Sequence, residues 1–464
     1  MMGVMTRREF LGGFAAVFAS LSAKRLWGEA LANEPLLRFG VMSDTHLETT
    51  DDPETLGRVL RYLRERNVDA VVISGDITER GLNDEVDFLM RIWEDAFPGG
   101  VAADGRRVEK FFVWGNHDYA DASYMRKLPR DEYAALVAKS IMGDKEAAWR
   151  RIGEGAFPGE TFAKKIKGFS FVGTHWKHEN ETGAWLKAHP EVDTSKLFFY
   201  VQHPHPAGTV FVQTERKKFS GVREDLKAYP NCFSISGHSH LSVSDDMALW
   251  QGEFTAMGTG STKSVSFRKG RETSPGFDAN VYIPHTRQME GGKPSQASIV
   301  SVYESRLIVE RHEFRFGGSL GDAWELPLPL ETHPENPFVV ASAAPAPEFP
   351  AGAAVSVVRA EGKDRGGREE MQYKVKVPYA EKTGRHGRVI EYRFDALNAS
   401  SGEVLLSRTA LQDRYGLCEE QASQRGGRCT FAVSEFPEGA EIVFRVTPLN
   451  AYGRGGRAIS GKAS

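Results

Sequence analysis

Between Leu36 and His240, short apolar runs alternate with helical stretches. Arg38 to Met42 (RFGVM), Ala70 to Ser74 (AVVIS), Phe111 to Trp114 (FFVW), Leu197 to Val201 (LFFYV) and Cys232 to Ser236 (CFSIS) are bounded by glycine and polar residues. Short runs of this kind predict buried strands. From Pro53 to Arg66, Leu56, Val59, Leu60 and Leu63 fall on one helical face, and from Asn83 to Asp95 so do Val86, Leu89, Met90 and Trp93. Strand, helix and strand at these intervals make a βαβ unit with a largely parallel sheet. Residues 119–160 break the rhythm with a charged, helix-forming insertion, and the pattern becomes β-rich from His240 to about Phe316. Pro334 to Pro350 (PENPFVVASAAPAPEFP) reads as a linker. Beyond it, Tyr373, Val375 and Val377, then Ile390, Tyr392 and Phe394, then Ile442, Phe444 and Val446 alternate between Gly-rich turns. That predicts a small antiparallel sandwich. The expected organisation is an α/β domain over 33–333, a linker over 334–350 and an all-β domain over 351–464.

Composition narrows the partners. The chain has 464 residues, 41% hydrophobic and 26% charged, as expected of a soluble globular protein with a large core. A net charge of −3 gives no general attraction to nucleic acid or to an anionic membrane, and neither is an expected partner. Residues 1–32 are set apart from the fold. Thr6-Arg7-Arg8-Glu9-Phe10-Leu11 precedes an apolar stretch to about Ala23, and Ala30-Leu31-Ala32 offers a small-x-small cleavage site. The segment resembles a twin-arginine export signal, which implies a periplasmic or secreted protein. No cysteine lies near the cut to carry a lipid anchor, and no later run approaches the ~20 apolar residues of a membrane span. An oxidising compartment would permit a bridge between Cys418 and Cys429, while Cys232, inside an apolar run, reads as a buried small hydrophobe.

Each strand-like run ends on groups that bind metal. Asp44-Thr45-His46 follows the first, Gly75-Asp76 the second, and Gly115-Asn116-His117-Asp118 the third. His203 follows the fourth, and Gly237-His238-Ser239-His240 the fifth. In layered α/β folds ligands gather beyond the carboxyl ends of strands, so carboxylates, imidazoles and one amide are delivered to a common rim. Two divalent ions about 3.5–4 Å apart need a bridging anion, for which an aspartate is suited. Mixed N/O donors accept manganese, iron or zinc. Gln202-His203-Pro204-His205-Pro206 offers two imidazoles; His203 is favoured because it follows the apolar run directly.

These motifs, in this order, resemble the calcineurin-like metallophosphoesterases from about Leu36 to Gly260. The resemblance implies a central two-sheet sandwich flanked by helices. It implies that Asp44, His46 and His240 bind one metal, that Asp76 bridges, and that Asn116, His203 and His238 bind the second. His117 would be the acid or phosphate-contacting imidazole, oriented by Asp118. The function implied is hydrolysis of a small-molecule phosphodiester or phosphomonoester by a metal-activated hydroxide. Purple acid phosphatases place a tyrosine three positions after the bridging aspartate, where this chain has Glu79. The exported 5′-nucleotidases have Glu in place of Asp118. Ser43-Asp44-Thr45-His46-Leu47 and Gly75-Asp76-Ile77-Thr78-Glu79-Arg80-Gly81 look more like the cyclic-nucleotide phosphodiesterase branch. The C-terminal Phe444 to Ser460 (FRVTPLNAYGRGGRAIS) resembles the late strands of a fibronectin type III module.

Other groups have plainer readings. His175 and His178, after the run Phe169 to Gly173, read as ordinary loop histidines rather than groups facing the pocket, and Arg216, Lys217 and Lys218 as a solvated surface rather than a phosphate clamp. Gly258 to Ser264 lacks the spacing of a nucleotide-phosphate loop and reads as a turn. A zinc peptidase is disfavoured because no His-Glu-x-x-His pair is present. The rival class is an exported binding or adhesion protein whose sandwich makes the contacts and whose metal site is structural.

Overall fold

The structure, a computed structural model, describes residues 34–210, 220–266, 294–330, 344–364 and 367–463. The export signal expected over 1–32, the linker from 334 to 343, and Arg216, Lys217 and Lys218 lie outside these residues.

Two sheets face each other. In the first, β1 (Leu37–Met42), β2 (Ala70–Ser74) and β3 (Glu109–Val113) run parallel. The second contains β4 (Thr161–Ile166), β5 (Phe169–Thr174), β6 (Phe198–Gln202), β7 (Cys232–Ser236), β8 (Leu249–Gln251) and β9 (Thr255–Gly258), in the spatial order β4-β5-β6-β7-β9-β8. It is parallel from β5 to β9 and antiparallel at both edges. The chain then returns to the first sheet. There β10 (Gln296–Val302) lies antiparallel to β1, β11 (Arg306–Glu313) to β10, and both β12 (Gly318–Ser319) and β13 (Trp324–Pro327) to β11. Phe39 of β1 meets the rings of Phe171 and Phe199 from the opposite sheet at 5.2 and 4.8 Å, both edge-on. Edge-to-face geometry suits the ring quadrupoles and closes the core between the sheets.

Helices cover the outer faces. α1 (Pro53–Glu65) opens with Pro53 and is capped by the Asp52 carboxylate, which accepts the Glu54 amide at 3.0 Å. Its Leu56, Val59, Leu60 and Leu63 are buried, as their spacing predicts. α2 (Asn83–Ala96) buries Val86, Leu89 and Trp93 on the same side of the sheet. The insertion expected over 119–160 holds α3 (Arg130–Ala138), which buries no side chain, and α4 (Lys145–Ile152), which buries Trp149 and Ile152. Two short helices, α5 (Thr182–Ala188) and α6 (Ser220–Leu226), flank the second sheet.

The C-terminal region is all antiparallel. β14 (Ser356–Lys363), β15 (Glu369–Val377) and β18 (Gly427–Ala432) make one sheet in the order β14-β15-β18. β16 (Glu391–Asn398), β17 (Val404–Leu411), β19 (Ile442–Leu449) and β20 (Ile459–Lys462) make the other in the order β17-β16-β19-β20. Val375, Tyr392, Phe394, Phe431 and Phe444 fill the space between them. All three cysteines are free and buried. The bridge allowed by the spacing of Cys418 and Cys429 is therefore not formed. Cys429 packs in the sandwich core, whereas Cys418 lies against Gly318 of the first domain.

A buried polar cluster joins the two regions. Arg311 of β11 donates to the Val243 carbonyl at 2.7 Å and to the Asp322 carbonyl, pairs with Asp246 at 2.9 Å, and lies 4.2 Å over the ring of Trp324. Trp324 Nε1 donates to the same Asp246 at 2.8 Å. From the sandwich, the His386 amide donates to Asp322 Oδ2 at 2.8 Å, and Arg388 donates to the carbonyls of Leu320 and Leu417 at 2.9 and 3.1 Å. Removing one partner from a buried pair leaves the other charged and unsatisfied. Arg311→Met should therefore destabilise the protein by about 3–5 kcal/mol. An unchanged thermal unfolding midpoint would show that the cluster contributes little.

Candidate metal centre

Asp44, His46, Asp76, His117, His203, His238 and His240 come to one rim. Several do so in a backbone conformation that side chains resist. Asp44, His46, Asp76, His238 and His240 have φ of 51°, 43°, 49°, 67° and 55°. Left-handed backbone at non-glycine residues persists only where surrounding contacts hold it, and it gathers at functional sites. The holding contacts are visible. The Asp44 amide donates to the Gly75 carbonyl and the His46 amide to the Asp76 carbonyl, each at 3.0 Å, so the first two loops brace each other. The preceding glycines are required for closeness. A Cβ on Gly75 would strike His203, one on Gly115 would strike Asp76, and one on Gly237 would strike Ser43 and Asp44.

The imidazoles are anchored by one nitrogen and aimed with the other. His46 Nδ1 donates to Glu79 Oε2, His203 Nδ1 to the Ser74 carbonyl, and His240 Nδ1 to the Ser264 carbonyl, all at 2.8 Å. Such outer partners fix the tautomer and leave Nε2 with its lone pair. His46 Nε2 then lies 3.0 Å from His240 Nε2, and His203 Nε2 lies 3.2 Å from His238 Nδ1. The facing lone pairs of His46 and His240 repel unless a cation stands between them. Asp44 Oδ1 is 3.1 Å from His240 Nε2. Asp76 Oδ2 reaches both groups, 3.0 Å from His203 Nε2 and 3.7 Å from His46 Nε2. Asp44, His46 and His240 could hold one ion, and Asp76, His203 and His238 another. Asn116 presents a buried Oδ1 with no hydrogen-bond partner among the described residues, an acceptor left for a ligand. The donor set fits divalent ions.

Proton affinities agree. Burial opposes charge on His46, yet its hydrogen bonds to Asp44 and Glu79 and the charges of Asp76 and Asp44 raise it to about 10. Burial is likewise overcome at His203 by Asp76 and Asp44, and it rises to about 9. Asp44 and Asp76 are buried, which favours the neutral acid, but the surrounding imidazoles hold both well below the usual carboxylate range. In the metal-free protein, protons occupy the place of the cations. Metal must displace them, so affinity for Mn²⁺ or Zn²⁺ should rise from about pH 6 toward about pH 9, with protons released. Calorimetry in buffers of different ionisation enthalpy measures this; a pH-independent affinity would contradict it.

His117 stands beside the cluster. Its backbone amide donates to Asp76 Oδ1 at 2.8 Å, and its ring meets that of His46 edge-on at 4.4 Å. Its Nδ1 donates to the Glu79 carbonyl at 2.8 Å. Asp118 does not orient it, contrary to the resemblance. The Asp118 carboxylate is buried and instead accepts the amides of Gly115, Thr78 and Ile77 at 2.8, 2.8 and 3.2 Å and the Thr78 hydroxyl at 2.6 Å. It ties the second ligand loop to the third, and its side chain is consumed by that task.

Glu79 is the residue that sequence reasoning passed over. Its carboxylate holds His46, lies 3.5 Å from His117 Nδ1, and accepts the Tyr124 hydroxyl at 2.6 Å. The only signal was its place three residues after Asp76. Tyr124 comes from the 119–160 insertion, which thus reaches the edge of the site. His203 reaches the cluster and His205 does not; His205 Nε2 lies 2.7 Å from Ser239 Oγ. His175 lies in the loop after β5, as expected, but it is not solvated. It is buried among Trp114, Trp149, Phe157 and Phe162, its Nδ1 accepts the Trp114 amide at 2.9 Å, and burial lowers it to about 3. His178 lies 3.2 Å from Glu181. Outer-partner loss typically costs 10–100-fold in metal affinity, and Glu79→Ala should weaken Mn²⁺ binding by about that factor. Unchanged titration isotherms would rule out its anchoring role.

Residues 37–242 match the calcineurin-like phosphoesterase family model. No curated protein matches the chain. Among solved structures, the chain is similar to GAP50, the anchor in the inner membrane complex of Plasmodium, at 12% identity over 64% of this chain and 90% of that one, with a TM-score of 0.38. Vps29 complexed with zinc from Entamoeba histolytica aligns at 12% identity over 63% and 99% of the two chains, with a TM-score of 0.29. An archaeal phosphodiesterase aligns at 12% identity over 63% and 100%, with a TM-score of 0.24.

Proposed function

We propose that the protein is an exported, two-metal phosphoester hydrolase. The observation that carries this reading is the pair of converging imidazole couples on either side of Asp76, with His117 at their open edge. Asp44, His46 and His240 would hold one ion, Asn116, His203 and His238 the other, and Asp76 would bridge them. Bound ions supply Lewis acidity, which activates water and neutralises charge on the phosphoryl oxygens.

The chain's own groups do the rest. His117 is partly exposed, with side-chain accessibility of 16%, and its Nδ1–H is fixed on the Glu79 carbonyl. Nε2 is then the atom that gives a proton to the leaving oxygen. Glu79 keeps His117 and His46 in fixed relative orientation, which limits the motion needed to reach the reacting geometry. Asp118 and the three glycines hold the loops against the strain of their left-handed residues. A purely structural metal site needs no such imidazole at its open edge, and this favours the hydrolase over the binding protein. Residues 1–32 would deliver the folded protein to the periplasm or beyond. The order β14-β15-β18 against β17-β16-β19-β20 supports reading the sandwich as a fibronectin type III-like module.

The variants separate the roles. His117→Ala should lower turnover of bis(p-nitrophenyl) phosphate or p-nitrophenyl phosphate by about 10²–10⁴-fold while keeping its metal. Asp76→Asn should lose metal as well. Metal analysis beside the kinetics decides: equal metal loss in both variants contradicts the assignment, and a metal-loaded wild type inert toward both esters contradicts the function.

A further inference from the structure

Beside the metal centre, on the same rim, lies a cavity of about 350 Å³ that the ligand set does not use. β11 runs parallel to β1, with β10 antiparallel between them, so the end of β11 opens where β1 delivers Asp44. The cavity is lined by Thr45, between two proposed metal ligands, and by Leu47, Leu56, Arg58, Lys263 and Arg315. The Lys263 loop is tied to the centre, since the amides of Thr262 and Lys263 donate to the carbonyls of Ser43 and Asp44 at 3.2 and 3.3 Å.

The charges in this cavity are unevenly matched. Asp51 is taken by Lys263 at 2.5 Å and by the Glu48 amide at 2.8 Å, and Asp52 caps α1. Both acids are therefore engaged. Arg58 and Arg315 have no ion pair or side-chain hydrogen bond among the described residues, although both line the cavity. A guanidinium offers a planar fork of donors matched to phosphate or carboxylate oxygens. Leu47 and Leu56 give the same space an apolar floor. The volume is within the range of small-molecule sites, about 300–1,000 Å³.

We propose that this cavity is a substrate subsite selecting phosphoesters that carry a second anionic group, which Arg58 and Arg315 receive while the scissile phosphate lies at the metal centre. The inference rests on the hydrolase reading above. It is tested with metal-loaded protein turning over p-nitrophenyl phosphate, with adenosine 3′,5′-bisphosphate and adenosine 5′-monophosphate as competitors. In the wild type the bisphosphate should compete at least about tenfold more tightly, as expected for an added charge-assisted contact. In the double variant Arg58→Gln and Arg315→Gln, that preference should disappear. Both residues are exposed, and an unchanged thermal midpoint would confirm that the variant folds. Equal inhibition by the two nucleotides in the wild type, or a preference kept in the variant, overturns the subsite alone. A wild type that binds metal but does not turn over p-nitrophenyl phosphate overturns the hydrolase reading and the subsite with it.

Discussion

The site depends on the repulsion of nitrogen lone pairs held close together in a buried place. With Nδ1 committed to Glu79 and to the Ser264 carbonyl, His46 and His240 turn their Nε2 atoms toward each other at 3.0 Å. On the other side of Asp76, His203, with Nδ1 committed to the Ser74 carbonyl, turns Nε2 toward His238 Nδ1 at 3.2 Å. The facing Nε2 atoms of His46 and His240 have low free energy only with positive charge between them, either protons or metal ions. The carboxylates packed among these rings act in the same sense: against burial, they raise proton affinity at His46 and His203, and the imidazoles in turn depress it at Asp44 and Asp76.

Much of the remaining architecture keeps those groups from relaxing apart. Five ligand-loop residues stand in left-handed backbone, and glycines at 75, 115 and 237 let the loops approach to distances that a methyl group would forbid. Asp118 binds two of the loops through backbone amides and a hydroxyl. The loop carrying His238 and His240 is steadied from further away. Gln296 accepts the Val243 amide at 3.0 Å and donates to Ser242 and to the Gly416 carbonyl at 2.9 and 2.6 Å, which links that loop to the sandwich. Arg311 reaches the same loop through the Val243 carbonyl and Asp246. The C-terminal region is thus docked against the back of a ligand loop.

The sequence made legible what local pattern encodes. Apolar runs with polar ends located β1, β2, β3, β6 and β7, and helical spacing located α1 and α2. Because each ligand immediately follows a strand, its arrival at a common rim could be anticipated before any coordinates. Relations set by tertiary contact were not legible. Nothing local announces that β10 would return beside β1, that Arg311, Asp246 and His386 would meet between regions, or that Cys418 would face Gly318 rather than Cys429. Asp118 was misassigned for the same reason: its neighbour in sequence is His117, but its partners in space are Thr78 and Ile77. Glu79 and Tyr124 lack a motif of their own, and their part follows from distance alone.

Anomalous diffraction from crystals of protein reconstituted with Mn²⁺ or Zn²⁺ tests the central claim most directly. Two peaks about 3.5–4 Å apart are expected, one between Asp44, His46 and His240, the other between Asn116, His203 and His238, with Asp76 touching both. A single peak, or metal bound away from these side chains while the imidazole pairs stay at their present separations, would contradict it.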